Sequence, residues 1–139
     1  MANNFPQEIN NISKGGGLTF TKVWETTNVG MGMGATTLQL SAVPENTNFY
    51  VIIVRSYNTG APSAFVLLDD SLMPASMVGI EQQIVTFDRA SSYGFASRFF
   101  IINKNTSTCV VTNGVTGYNL KNGESNSNAC VPVVIYACS

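Results

Sequence analysis

A run of five residues, Gly30-Met31-Gly32-Met33-Gly34, is the nearest this chain comes to a glycine-rich phosphate cradle, in which backbone N–H groups and a following lysine hold an anion. No lysine follows it and no strand-to-helix context surrounds it, so the run reads as a flexible surface loop. Asp69-Asp70, with Glu81 and Asp88, offers oxygen ligands to calcium, but the spacing lacks the alternating carboxylates of a calcium loop. The chain has no histidine, which removes Ser-His-Asp and Cys-His arrangements and any histidine-ligated metal. Nothing in the spacing of its eight acids places two together as a glycosidase pair. Cys109, Cys130 and Cys138 match no zinc pattern. The expectation is a protein that is not an enzyme and that carries no metal and no cofactor.

Binding suits these residues better than catalysis. Recognition of a sugar or a surface protein uses aromatic faces beside amide and hydroxyl groups, and residues 89–98 (RASSYGFASR) have that composition, with Tyr93, Phe95 and Arg98 as candidate contacts. Tyr57 and Asn58, in YNTG, form a second candidate. Loops on a rigid scaffold are where such contacts concentrate, although aromatic loop residues also simply cap the ends of sandwiches.

The elements that must position these loops follow from composition. A chain of 139 residues is one domain's worth. Charged residues are 11% of the chain and the net charge is -1, so no basic patch is available for nucleic acid or an anionic membrane. Asn, Ser, Thr and Gly supply the polarity instead, a mixture that favours strands and turns. The opening MANNFPQEINNISKGGG has neither a basic start nor an unbroken apolar run, so it does not read as a secretory signal, and no segment is long enough to span a bilayer. Synthesis and folding in a cytoplasm are expected, with the three cysteines acting as small buried hydrophobes. The sequons at Asn11 and Asn105 then have no role.

Residues 1–17 differ in kind from the rest, being Asn-rich and ending in Gly15, Gly16 and Gly17, a flexible joint before a domain over residues 18–139. Short apolar or alternating runs follow at 18–24, 36–41, 49–56, 64–69, 81–88, 98–104, 108–112, 115–120 and 130–137. Each has strand length and composition, and none has a sustained helical period. Asn113-Gly114 reads as a type I′ hairpin turn, and Asn122-Gly123 as another turn leading into the polar loop ESNSN. Eight or nine short strands with turns between them make an all-β fold, a single antiparallel β-sandwich of the jelly-roll kind. Pro132 lacks an N–H and calls for an edge or a bulge early in the last strand. The expected core is Trp24, Phe49, Ile52, Phe65, Leu67, Phe87, Phe99, Ile101 and Ile135. FYVIIV and VPVVIY are apolar on both faces, as central strands or strands covered by another subunit are.

Several of these features together resemble a family of small β-domains found in virion proteins of phages and prophages, in tail-fibre, baseplate and related host-contacting components. Val23-Trp24, then Thr37-Leu38-Gln39-Leu40-Ser41, then Phe49-Tyr50-Val51-Ile52-Ile53, and finally Pro132-Val133-Val134-Ile135-Tyr136 carry the resemblance, in order, across roughly residues 18–137. Ala137 stands where the family usually has glycine, and the stretch from 71 to 98 has no counterpart.

The resemblance implies a virion protein made in the bacterial host cytoplasm. Its leader then reads as an attachment arm to other virion proteins, with Phe5, Ile9 and Ile12 at i, i+4, i+7 on one helical face as apolar anchors. The plain alternative is a polar terminus with three incidental apolar residues. Low charge and doubly apolar strands leave hydrophobic surface for a closed oligomer, and a homotrimer is expected. Two virion roles stay open: a tail-fibre or baseplate component touching a host glycan or protein, and a capsid decoration or head-fibre protein held by the arm. A free carbohydrate-binding module needs no virion.

Overall fold

The computed structural model describes residues 17–55, 62–69, 72, 82–88, 94–118 and 121–139. Among these residues ten strands run in chain order: β1 Phe20–Glu25, β2 Thr36–Gln39, β3 Phe49–Arg55, β4 Pro62–Leu68, β5 Gln82–Asp88, β6 Gly94–Asn103, β7 Thr108–Val111, β8 Val115–Tyr118, β9 Lys121–Ser125 and β10 Val131–Cys138. They form two antiparallel sheets, one of four strands in the order β1-β10-β3-β4 and one of six in which β2-β7-β6-β8-β9 is extended by β5 on β6. No helix among the described residues is long and apolar enough to cross a membrane.

The two strands that read as apolar on both faces, β3 and β10, occupy the centre of the four-stranded sheet. Alternation on β3 turns Tyr50, Ile52 and Val54 inward, and register brings Ile135 against Ile52 and Ala137 against Tyr50. Leu67 joins them from β4. Pro132 is accommodated in this central strand by a bulge, because the register against β3 shifts between Pro132 and Val134. The Val133 carbonyl then accepts from the Thr26 N–H at 2.8 Å.

The larger sheet is built on β6. Phe100 faces Gln82 on one side and Val111 on the other, while Ser97 faces Val85 and Val115. Hence β7 and β8 share the edge of β6 opposite β5. From Ser97 to Phe100 the chain takes three steps on β6, and from Val111 to Val115 four on its partner, so β8 continues β7 past a one-residue bulge. This corrects the hairpin expected at Asn113-Gly114: β7 and β8 pair with β6, and neither residue has the positive φ that a type I′ turn demands. Asn122-Gly123 is likewise no turn but lies within β9.

A single apolar cluster fills the space between the sheets, with Val23, Ile52, Val54 and Ile135 from one and Leu38, Phe100, Cys109 and Val111 from the other. Of the expected core, Ile52, Leu67 and Ile135 are buried, and Trp24 and Phe65 pack partly buried against it. Phe49, Phe99 and Ile101 fall on the outward faces, since their neighbours Tyr50 and Phe100 point in. The side chain of Phe87 lies outside the described residues. The sandwich shares with a jelly roll the placing of the last strand between the first and third, whereas β3–β4 and β5–β6 are local antiparallel pairs.

All three cysteines are buried, and none is in a disulfide. Burial pushes the Cys109 thiol up to about 12 from 9.0, and burial raises Cys138 as well. Folded Cys109 therefore keeps a proton that the unfolded chain gives up, and stability present below the unfolded value is lost as pH rises through the folded one. Unfolding free energies from urea titrations between pH 9 and 11 are expected to fall by up to ~1.4 kcal/mol per pH unit for this group, and Cys109→Ala to flatten that slope.

Gly114 explains itself by contact rather than by conformation. A Cβ there would meet the backbone oxygens of Asn126 at 2.3 Å and Ala129 at 2.6 Å. Gly114→Ala is expected to cost about 2–3 kcal/mol in urea unfolding. Gly34→Ala, where nothing lies within 4 Å, should change stability by less than about 0.5 kcal/mol.

Candidate functional site

The bulge at 112–114, opposite the middle of β6, and the turn at 126–130, at one end of the four-stranded sheet, meet there, and a single buried side chain holds them together. Arg98 alternates in phase with Ala96, Phe100 and Ile102 on β6, so it points into the protein and is 1% exposed. Its Nε donates to the Ala129 carbonyl at 2.9 Å, Nη1 to Thr112 at 2.7 Å and Nη2 to Ser127 at 3.0 Å. Among the described residues no carboxylate pairs with it. Three carbonyl dipoles therefore solvate the cation in place of water. Burial lowers the guanidinium to about 10, a shift that the neighbouring Cys130 sulfur opposes, and at neutral pH the charge stays on.

Cys130 closes the same turn. It takes a positive φ of 46°, which a side chain rarely adopts, and its thiol donates to the Ala96 carbonyl at 3.3 Å. Beyond it the polar groups are organised among themselves. The Asn126 N–H donates to the Gly114 carbonyl at 2.6 Å, the Asn128 N–H to Asn126 Oδ1 at 2.9 Å, and Asn113 Nδ2 to Ser125 Oγ. The glycine-methionine run docks on this turn: Met33 N–H donates to the Ser127 carbonyl at 2.8 Å, and a Cβ on Gly32 would touch Ser127 Oγ at 2.7 Å. Arg55 Nη2 reaches the Met31 carbonyl at 3.3 Å. Ser125, Ser127 and Asn128 are exposed, so this end presents hydroxyl and amide groups on a fixed backbone. Such groups bind by donating and accepting hydrogen bonds, as sugar hydroxyls and peptide groups require.

The expected contact residues are distributed differently. Arg98 is not a surface contact but the buried clamp, and Phe95 is a partly buried strand residue of β6 whose ring lies beside Gly123. Both corrections share one cause: β6 begins at Gly94, so the loop expected over 89–98 ends earlier. Tyr57, Asn58 and Tyr93 lie outside the described residues, as do Phe5, Ile9 and Ile12 of the leader.

Of the acidic residues that offered calcium ligands, Asp70 and Glu81 lie outside the described residues, and the other two do not meet. Asp69 accepts from Tyr50 Oη at 3.0 Å and from Lys104 Nζ at 3.2 Å, and Lys104 also donates to the Glu45 carbonyl. Lys104 follows the C-terminal end of β6, whereas Asp88 pairs with Gly94 at its start, so Asp69 and Asp88 sit about 30 Å apart. Among the described residues no group of three His, Cys, Asp or Glu is placed to hold a metal ion.

Arg98→Met keeps much of the volume and removes the donors. It is expected to cost about 3–5 kcal/mol of stability by urea unfolding, with Arg98→Lys recovering only part, because one ammonium cannot span three carbonyls. Compared with known proteins, no family model, no curated protein and no solved structure matches this chain.

Proposed function

We propose that this chain is a structural protein of a bacteriophage particle, a tail-fibre or baseplate component that contacts the host surface. The sequence resemblance supplies the virion setting. The observation that carries the contacting role is the polarity of the sandwich. Thr19 and Ser139 exchange backbone hydrogen bonds at 2.8 and 3.1 Å, which puts the entry to β1 and the exit of β10 at one end. The clamped turn at 126–130 lies at the other end of the four-stranded sheet, across strands that rise about 3.3 Å per residue, while β5, β6 and β8 of the larger sheet run on past it. A leader leaving β1 toward a particle therefore points the exposed Ser125, Ser127 and Asn128 away from it.

The chemistry of that end fits a neutral, hydroxyl-rich or peptide surface better than a charged one, in line with a net charge of -1. A capsid decoration or head-fibre role uses the same polarity for attachment and differs in where the protein sits.

Imaging purified particles with a label on a C-terminal tag tests the reading. Label at the tail tip is the expected result, label over the head makes this a decoration or head-fibre protein, and unlabelled particles remove the virion role. The double substitution Ser127→Ala with Asn128→Ala should leave stability within about 0.5 kcal/mol, since both side chains are exposed, while host adsorption falls at least about tenfold. Unchanged adsorption would move the contact to another surface.

A further inference from the structure

The outward face of the four-stranded sheet is apolar over most of its width, with Lys22 and Glu25 on its β1 edge. One row across it reads Phe20, Cys138, Phe49, Leu68, and the next Lys22, Tyr136, Val51, Val66. Phe20, Val66 and Leu68 are 53%, 65% and 46% exposed, and Phe20 stacks edge-to-face on Tyr136 at 6.4 Å. Lys22, within the second row, pairs with Glu25 at 2.6 Å, and Arg55, farther along the same face of β3, donates to the Met31 carbonyl at 3.3 Å, so the face carries one net positive charge.

We propose that this face packs against the same face of a second copy of the chain, forming a two-fold dimer. Area supports this occupant. Four strands about 4.8 Å apart and seven residues long make a face of about 20 by 23 Å, and side-chain relief brings two such faces to roughly 1,200 Å² of buried surface, within the range of specific pairs. Shape supports it as well, since two copies of one sheet share the same twist and stack aligned with their side chains interdigitating. Charge discriminates among partners. A nucleic acid or an anionic membrane needs a basic face, whereas two nearly neutral copies meet without repulsion. A trimer, the expectation from composition, closes through two different patches meeting around a three-fold axis, while one face meeting itself closes as a pair. The pairing rests on the sheet alone and is independent of the virion role.

Sedimentation equilibrium of the full chain tests it, beside Val66→Glu. Val66 sits outward in the second row, so the substitution leaves the core untouched, and Met31→Glu, exposed on the far loop, serves as control. The expected result is a dimer at about 10 µM for the unmodified chain and for Met31→Glu, with Val66→Glu weakening association at least about 100-fold while its circular dichroism and melting midpoint hold. A monomer or a trimer for the unmodified chain overturns the proposal, as does a Val66→Glu variant that still pairs.

Discussion

The fold is organised around one buried cation. Arg98 reaches the bulge through Thr112 and the last turn through Ser127 and Ala129, so three segments distant in sequence share one side chain. An isolated guanidinium taken out of water carries a penalty of several kcal/mol, and here carbonyl dipoles repay it only while all three segments are in place. This makes the contact conditional. A chain that had closed the sandwich without docking the 126–130 turn would leave the charge stranded, which couples the final strand to the centre of the larger sheet. Gly114 and Cys130 serve the same junction, one by letting two backbones approach and the other by tolerating a left-handed conformation.

The four-stranded sheet solves a different problem. Its central strands bury Tyr50, Ile52, Val54 and Ile135 inward, and the same strands are apolar on the face turned away from the core. Burying one aliphatic side chain contributes about 1.5–3 kcal/mol, and the inner face supplies that contribution to the sandwich. The exposed Phe20, Val66 and Leu68 lie on the side away from that core, which is the observation behind the pairing proposed above.

Much of this was legible in the residues. Alternating β-branched and aromatic runs marked nine of the strands, because side chains of that kind fit a pleated, half-buried surface. What failed did so for physical reasons. Gly94, Ala96 and Ser97 look like loop residues, yet small side chains suit a strand flanked by β5 and β8, and the missed start of β6 carried the phase of Phe99 and Phe100 with it. Arg98 read as exposed because arginine usually is, and only its alternation with Ala96 and Phe100 marks it as inward. Asn113-Gly114 had the composition of a turn, but glycine was needed there for proximity and not for φ. The exposed cluster at Ser125 to Asn128 carried a weak signal, a polar run before an apolar strand, which says loop and nothing more.

The pairing of β1 with β10 sets how the domain bears load. The two strands are antiparallel, and Thr19 and Ser139 are bonded to each other at one end. Tension applied between those two residues would peel the ladder apart one rung at a time. Tension applied between Thr19 and the clamped turn at the opposite end runs along the strands, so that every rung between β1 and β10 is sheared together. The same ten-strand architecture is thus soft to a force that separates its ends and stiff to one that stretches it lengthwise.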